Sequence, residues 1–421
     1  MANTTLNKTY SANPTNGNKS TFSCWVKRGK LGTRQMIFSA YDGSGPGGQD
    51  LEFEASTDVL SYNNTEGDND TSMVFRDTSA WYHIVLAVDT TQGSASTQVK
   101  IYVNGVQQSL GVNTGASAVG QFGKNGLTAR IGSNHDGTNY YFDGSMSHFY
   151  FIDGTAYDAT AFGETDATTG EWVGKTSPSV TYGTNGFFIL KDGNGITDQS
   201  GEGNDFTLGG GTLTDLKDNP ENVFATLNPL DVNSDGVHTL SNGNLTAVNT
   251  AQGFDQTRST YYLSTGKWYW EFKCTRVNDS IQVGVVQNNY AGGSGERRNY
   301  QSSNGSKYSG SSSSYGATWT VNDIIGIALD LDNGTITFYK NGASQGVAFT
   351  DLLTSIDDTG WTPVILSYNG DGSFNFGNGY FGTTAITTNS GNGYSGAEGS
   401  SKFNYTVPTG YSALSTKGLN E

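Results

Sequence analysis

The sequence predicts an all-β protein made of two tandem antiparallel β-sandwiches, and three observations carry this prediction. Glycine accounts for 58 of the 421 residues, and Ser, Thr and Asn are plentiful while the good helix formers are sparse. Apolar residues alternate in short runs that end at Gly, Asn or Asp turns. A chain of this length exceeds one ordinary hydrophobic core, which predicts two domains. The aromatic content of 12% argues against disorder, because a chain that cannot bury large side chains is normally poor in them.

The first half shows five strand signals before any break in the pattern. They are Thr21–Lys27, Trp81–Val88, Gln98–Val103, Thr128–Gly132 and Met146–Phe151. Asn104-Gly105 follows the third run, and this dipeptide is typical of a tight hairpin turn. The last two runs flank the Tyr-rich turn NYYFDG.

The second half begins after a segment without strand character. Residues 209–221 combine glycines, Pro220 and charge, which predicts a linker between a first domain over 1–208 and a second over 222–421. The strand signals that follow are Lys267–Thr275, Ile281–Val286, Ile324–Leu331 and Thr335–Tyr339, with a hairpin turn at Asn341-Gly342. The best candidate for a short helix is Thr350–Ile356.

Charge and hydropathy exclude several classes of partner. The net charge of −16 argues against nucleic acid and anionic lipid, which attract basic patches. No run approaches the roughly 20 apolar residues that cross a bilayer, which predicts no membrane insertion. Residues Met1–Thr5 show no secretory signal, so we expect synthesis in a cytoplasm. Cys24 and Cys274 are predicted to be buried free thiols, since two cysteines form no disulfide framework.

Two stretches resemble known families. WYHIVLAVD, KIYVNGVQ and IGSNHDGTNYYFDGSMSHFYFID resemble the laminin-G/concanavalin A-like superfamily over roughly residues 15–205. GKWYWEFKCTR, NDIIGIALDLDNGTITFYKNGAS and WTPVILSYNGDGSFNFG resemble a SPRY domain over roughly residues 222–417. The resemblance implies a concanavalin-like jelly roll followed by a SPRY-type sandwich. The glycine-rich stretch between Phe376 and Tyr405 departs from the usual SPRY ending.

Three motifs that could indicate catalysis lack the context that catalysis needs. Residues 342–346 (GASQG) match a nucleophile elbow, but they follow a hairpin turn and precede no helix. Residues 391–396 (GNGYSG) match a dinucleotide pattern outside any βαβ unit. Asp50, Glu52 and Glu54 lie on one side of a strand, but their spacing differs from the E-x-D-x-x-E of related glycosidases and fits a solvated face equally well.

Metal ligands are sparse. The four histidines form no zinc motif with the cysteines. Asp231–Gly236 resembles the first half of a calcium loop, but Asn242 stands where the bidentate glutamate is needed, so a plain turn is the simpler interpretation. Asp136 and Asp143, around the NYYFDG turn, are a second calcium candidate, and no other cofactor is expected.

Two tyrosine-rich segments are candidate binding loops. Residues 288–316 mix tyrosine and arginine with Ser, Gly and Asn, a composition typical of adaptable binding surfaces, and residues 133–143 carry a second tyrosine pair. A variable loop with solvated tyrosines is the alternative for residues 288–316. The candidate residues are Tyr290, Arg297, Arg298, Tyr300, Tyr308, Tyr315, Tyr140 and Tyr141.

The combination of the two domains resembles bacteriophage tail fibres and other virion structural proteins. This resemblance implies a non-catalytic virion protein of a tail fibre or spike, which binds other virion proteins and a host surface polysaccharide or receptor through rim loops. A capsid-decorating or adaptor protein is the alternative, and a polysaccharide depolymerase is the third hypothesis. A homotrimer is expected by analogy with fibres, although the chain has no shaft repeat.

Overall fold

A computed structural model describes residues 3–41, 43, 48–116, 120, 122–191, 195–231, 236, 238–249, 253–287, 297–354, 360–387 and 401–419. The chain forms two compact units, Met1–Asp215 and Leu216–Glu421. The division between them falls inside the segment 209–221 that the sequence predicts as a linker. The start of that segment is not a linker, because Thr207–Gly210 form a strand that pairs with the first strand of the chain.

The described residues of the first unit form strands with two short helical turns. The strands are β1 (Thr5–Thr9), β2 (Lys19–Arg28), β3 (Gln35–Ala40), β4 (Gln49–Phe53), β5 (Val59–Asn64), β6 (Gly67–Val74), β7 (Trp81–Asp89), β8 (Val99–Val103), β9 (Val106–Gln107), β10 (Leu110–Asn113), β11 (Thr128–Ile131), β12 (Gly144–Asp153), β13 (Gly163–Thr165), β14 (Trp172–Gly174), β15 (Phe187–Ile189) and β16 (Thr207–Gly210). The helical turns are α1 (Ala95–Gln98) and a 3-10 turn at Ala159–Ala161.

Two antiparallel sheets sandwich the core of the first unit. One has the order β10-β6-β5-β4-β3-β11-β1-β16 and the other β15-β12-β2-β7-β8-β9. Phenylalanines from both sheets meet between them; the Phe22 and Phe38 rings, for example, stack with centroids 5.1 Å apart. A small sheet of β13 and β14 adds Trp172 to an apolar cluster outside the main core. Because the core needs one side of each strand only, the other side of the eight-stranded sheet is available for polar residues.

The second unit contains the longest strands of the described chain. Its strands are β17 (Thr239–Ser241), β18 (Thr246–Val248), β19 (Phe254–Arg258), β20 (Lys267–Gln287), β21 (Arg297–Gln301), β22 (Ser306–Tyr308), β23 (Ser312–Ser314), β24 (Ile324–Asp330), β25 (Thr335–Lys340), β26 (Ala343–Phe349), β27 (Trp361–Asn375), β28 (Tyr380–Phe381), β29 (Thr384–Ala385) and β30 (Ser412–Ala413). One helical turn, α2 (Thr416–Leu419), follows them.

Strands β20 and β27 organise the second unit. They pair along almost their whole length, while β24 pairs with the first part of β20 and β21 pairs with its last part. Trp270 and Trp361, both fully buried, belong to the same core cluster. The sequence predicts two strands here, at 267–275 and 281–286; the structure has one, with irregular register around residues 274–280.

The all-β prediction is confirmed, and so are both hairpin turns. Asn104, Gly105, Asn341 and Gly342 all have positive φ, which the tight turn requires and which Asn and Gly tolerate best. The GASQG motif therefore continues from a turn into β26, as expected from its context. The short helix predicted at Thr350–Ile356 is wrong for its described part, because residues 352–354 form a turn. Among the described residues, no helix is long and apolar enough to span a membrane.

Candidate functional site

A polar surface covers the outside of the eight-stranded sheet in the first unit. Leu51 and Phe53 of β4 lie in the hydrophobic core. Because side chains alternate along a strand, Asp50, Glu52 and Glu54 project from the opposite side. We call this surface the polar face; it comprises the outward side chains of β3 to β6, the flanking residues Arg34 and Glu54, and the adjacent turn 134–142.

Strand register places further polar groups beside these acids. Asp50 is paired with Asn63, and Glu52 with Ser61, across the β4–β5 ladder. Ser61 in turn is paired with Asp70 of β6, and its hydroxyl donates to the Asp70 carboxylate. The polar face is therefore continuous over at least three strands.

Arg34 neutralises the central acid of the polar face. Its Nε and Nη2 donate to the two carboxylate oxygens of Glu52, and the Asn63 amide also donates to Glu52. The Glu52 side chain is completely buried, whereas 33% of the Arg34 side chain is exposed. Burial raises the pKa of Glu52 to about 7, and the Arg34 interactions oppose this rise. A solvated face is thus the wrong description of Glu52.

Tyr140 stacks over this ion pair and presents its ring to solvent. The Arg34 guanidinium carbon lies 5.0 Å from the centre of the Tyr140 ring, and Tyr140 is 45% exposed. The backbone holds it in place, since the Met36 amide donates to the Tyr140 carbonyl at 2.9 Å. Tyr140 has a φ of 54°, a left-handed conformation that is costly for a tyrosine. The predicted binding residue Tyr140 is therefore an exposed aromatic platform.

Tyr141 and Asp136 have local roles in the same turn. The Tyr141 hydroxyl donates to the Gly137 carbonyl at 2.7 Å. The Asp136 carboxylate accepts from the backbone amide and the hydroxyl of Thr138, which holds the pKa of Asp136 below its usual range. Arg130 donates to the His135 carbonyl and ties the turn to β11. These bonds shape the turn that positions Tyr140.

The predicted calcium pair is not supported by this geometry. Asp136 is exposed and engaged in its own turn, whereas Asp143 is buried, with its carbonyl accepting from the Gly29 amide. Within the described ranges, no three His, Cys, Asp or Glu side chains come together as a metal site. Most of the calcium-like loop at 231–236 lies outside the described residues. Its first residue, Asp231, forms an ion pair with Arg258.

Asp50 is the acid of the polar face whose hydrogen bonding is incomplete. It is half-buried, and its Oδ1 atom is shielded from solvent without a hydrogen-bond partner. Burial raises the pKa of Asp50 to about 6, and the nearby Arg34 charge lowers it. A shielded carboxylate oxygen without a donor is costly, which favours the protonated form of Asp50.

The candidate residues of the second unit are mostly structural. Arg298 is 4% exposed and makes a two-pronged ion pair with Asp351, at 2.9 and 2.8 Å. Tyr300 is fully buried in β21, where its hydroxyl donates to the Ala317 carbonyl. Both side chains are enclosed by the fold, so the structure does not present either of them to a ligand.

Three further candidates, Tyr315, Arg297 and Tyr308, make contacts within the fold of the second unit. The Tyr315 hydroxyl donates to the Gly346 carbonyl on β26, so Tyr315 is tied to an edge strand. Arg297 stacks over the Tyr308 ring at 4.7 Å, and both are half-buried. The segment predicted as one long loop therefore contains β21, β22 and β23. Tyr290 lies outside the described residues.

A serine–histidine pair in the first unit lacks the arrangement that catalysis needs. His83 Nε2 lies 2.9 Å from the Ser23 hydroxyl, and the Trp172 indole N–H donates to His83 Nδ1 at 2.9 Å. Because Nδ1 accepts, the proton of a neutral ring is on Nε2, so His83 cannot take a proton from Ser23. Burial also lowers the pKa of His83 to about 3, and both side chains are enclosed.

Family models match both units. Residues 3–159 match the concanavalin A-like lectin/glucanases superfamily, and residues 267–379 match the SPRY domain. A concanavalin-like domain and a SPRY domain are thus found in the chain, and both match a β-sandwich fold, which confirms the predicted fold class.

Curated relatives share only part of their length with this chain. The ATP-dependent RNA helicase DDX1 of Xenopus laevis is 30% identical over 132 residues, which are 28% of this chain and 16% of the helicase. The E3 ubiquitin-protein ligase RKP of Arabidopsis thaliana is 27% identical over 139 residues, which are 30% of this chain and 10% of the ligase.

Solved structures with similarity include two SPRY-type domains. The SPRY domain of human HERC1 has 20% identity and a TM-score of 0.29, over 31% of this chain and 87% of that domain. The TRIM65 PSpry domain has 19% identity and a TM-score of 0.29, over 36% of this chain and 91% of that domain.

Proposed function

We propose that this protein is a non-catalytic binding protein that holds a saccharide on the polar face of its first unit. The observation that carries the proposal is the exposed Tyr140 ring stacked on Arg34, beside the carboxylates of β4. An aromatic ring presents an apolar surface to the C–H side of a sugar, and neighbouring carboxylates and amides fix its hydroxyls. This combination favours a saccharide over a purely apolar ligand.

The setting that we propose is the surface of a bacteriophage virion, on a tail fibre or spike that contacts host polysaccharide. The support for this setting is the resemblance of the domain pair to such proteins, and the polar face supplies the binding surface that the role requires. The other virion proteins would then be the assembly partners.

Binding to immobilised glycans tests the proposed site. The full chain should be retained by at least one glycan on an array, and Tyr140→Ala should reduce retention about tenfold or more, because aromatic anchors dominate such contacts. Tyr262→Ala is the matched control, since Tyr262 is 40% exposed in the second unit. Equal losses in both variants, or no retention of the unmodified chain, would contradict the proposal.

The same samples address the enzyme hypothesis and the virion setting. Chromatography of the retained glycan after incubation should show unchanged chain length. Shorter products would show a depolymerase in place of a binding protein. Electron microscopy of the virion with labelled antibody should place the protein at the tail, whereas labelling over the capsid shell would favour the decorating role.

A further inference from the structure

We propose that the saccharide bound on the polar face is an N-acetylated amino sugar, and that Arg34 recognises its acetamido carbonyl. This inference rests on the proposed function and specifies its ligand class. It starts from the Arg34 guanidinium, which is partly exposed and keeps a nitrogen that the fold does not use. The exposed Tyr140 ring lies beside it, with its centre 5.0 Å from the guanidinium carbon.

The guanidinium of Arg34 is only partly engaged by the protein. Its Nε and Nη2 donate to the Glu52 carboxylate, whereas Nη1 forms no hydrogen bond with any residue that the structure describes. The side chain is 33% exposed, and Nη1 is not one of the shielded nitrogens, so a ligand can reach it. The Nη1 atom carries two N–H donors. Arg34 can therefore donate to a ligand without releasing Glu52.

The charges around Arg34 favour a neutral acceptor over an anionic one. The hydrogen bonds from Arg34 to Glu52 raise the pKa of Arg34, and the charges of Glu54 and Asp50 raise it further. Three acids thus act on this one base, which makes the local potential negative. A uronate or sulfate group would be repelled, or would compete with Glu52 for Arg34 and leave a buried carboxylate without its partner.

Among neutral groups, an acetamido group fits this arrangement better than a hydroxyl. A hydroxyl both donates and accepts, so beside these acids it can donate to a carboxylate and leave Arg34 unused. A carbonyl oxygen only accepts, which directs it to the Arg34 nitrogen. The planar amide and its methyl group offer an apolar surface to the Tyr140 ring, and the amide N–H can donate to an acid. One acetamido group therefore matches the donor, the ring and the acids together.

Titration calorimetry with three tetrasaccharides tests this selectivity. The probes are the tetramers of N-acetylglucosamine, glucose and galacturonate, titrated into the full chain at pH 7.5. Asp50, with a pKa of about 6, is ionised at this pH. We expect the N-acetylglucosamine tetramer to bind about tenfold more tightly than the glucose tetramer, because it adds a hydrogen bond to a charged donor. The galacturonate tetramer should bind least.

Arg34→Lys is the decisive variant, because lysine keeps the positive charge but has a single nitrogen, which Glu52 would hold. It should bring the affinity for the N-acetylglucosamine tetramer down to that for the glucose tetramer. Arg76→Lys is the matched control and should keep the preference, since Arg76 is 61% exposed and pairs with Asp58. If R34K unfolds early in a thermal scan, the double variant R34M/E52Q removes the donor without leaving a buried charge unpaired, and it should show the same loss.

The outcomes separate the two proposals. Galacturonate as the tightest ligand, equal binding of the glucose and N-acetylglucosamine tetramers, or a preference that survives the loss of the Arg34 guanidinium would overturn this inference, while saccharide binding itself would stand. A preferred array glycan without an acetamido group would do the same. Failure of every tetramer and of every array glycan would overturn the proposed function together with this inference.

Discussion

Replacing Glu271 by glutamine tests how one buried carboxylate organises the second unit. Glu271 lies on β20 with no exposed surface. It accepts from the backbone amides of Asn404 and Tyr405, each at 2.8 Å, and from the Asn375 side-chain amide at 3.1 Å. Glutamine keeps the shape but turns one accepting oxygen into an NH2 group. One of the backbone amides then faces a donor in place of an acceptor.

The expected cost follows from these contacts. At pH 6 the Glu271 carboxyl group is mostly protonated, and a buried backbone N–H that loses its acceptor there costs about 2–3 kcal/mol. At roughly 2–4 °C per kcal/mol for a unit of this size, E271Q should lower the melting temperature of the second unit by about 5–10 °C at pH 6. Hydrogen exchange of residues 401–407 should accelerate, because two of the bonds that hold this segment end on Glu271.

Scanning calorimetry and hydrogen-exchange mass spectrometry of the full chain measure both effects. Glu221→Gln, at an exposed position of the same unit, is the control and should melt like the unmodified chain. An E271Q variant with unchanged melting and unchanged exchange at residues 401–407 would refute the reasoning, since the carboxylate would then be dispensable for the segment.

The other predictions concern pH, a close contact and an unpaired amide. Burial raises the pKa of Glu271 to about 7, against about 4.3 in an unfolded chain. The stability that the protein gains from protonation of Glu271 is therefore complete below about pH 4 and is lost as the pH rises through 7. The stability gap between the unmodified chain and E271Q should therefore narrow by about 1–1.5 kcal/mol from pH 6 to pH 8 in denaturant titrations. Gly105→Ala should lower the free energy of unfolding by about 2–4 kcal/mol in the same assay, because the added Cβ would lie 2.5 Å from the Trp172 ring. Gly170→Ala is the control: its φ is similar and no atom lies within 4 Å, so the loss should be about 1 kcal/mol. Equal losses in the two variants would contradict this. Gln256→Leu should leave the melting temperature unchanged or raise it, because the side-chain amide nitrogen and oxygen of Gln256 are buried without hydrogen-bond partners. A clearly lower melting temperature would show that these two atoms do form hydrogen bonds.

The strands could be predicted because their patterning is local. Alternating apolar residues placed β2, β7 and β8 within one or two residues, and Asn-Gly marked both hairpins. The single strand β20 was not predicted, because the polar residues Asn278 to Ser280 look like a turn in sequence. The structure pairs both halves of this strand with β27 and accommodates the polar residues as a register shift.

The candidate site was only partly predictable. Tyr140 was identified from the composition of its turn, and the shared side of Asp50 and Glu52 from the period of a strand. Nothing in the sequence singles out Arg34, since it reaches Glu52 through the pairing of β3 with β4. The serine and tyrosine content of residues 288–316 suggested a binding loop, but such residues also form short strands, and Tyr300 is buried in one of them.

Hydrogen exchange of the full chain with and without the glycan selected on the array tests the central claim most directly. Saccharide binding on the polar face predicts slower exchange in residues 49–54 and 134–142, which carry Asp50, Glu52 and Tyr140. Residues 297–316 of the second unit should exchange at the same rate in both samples. Protection of 297–316 without protection of the first unit would contradict the claim and place the binding surface on the SPRY domain.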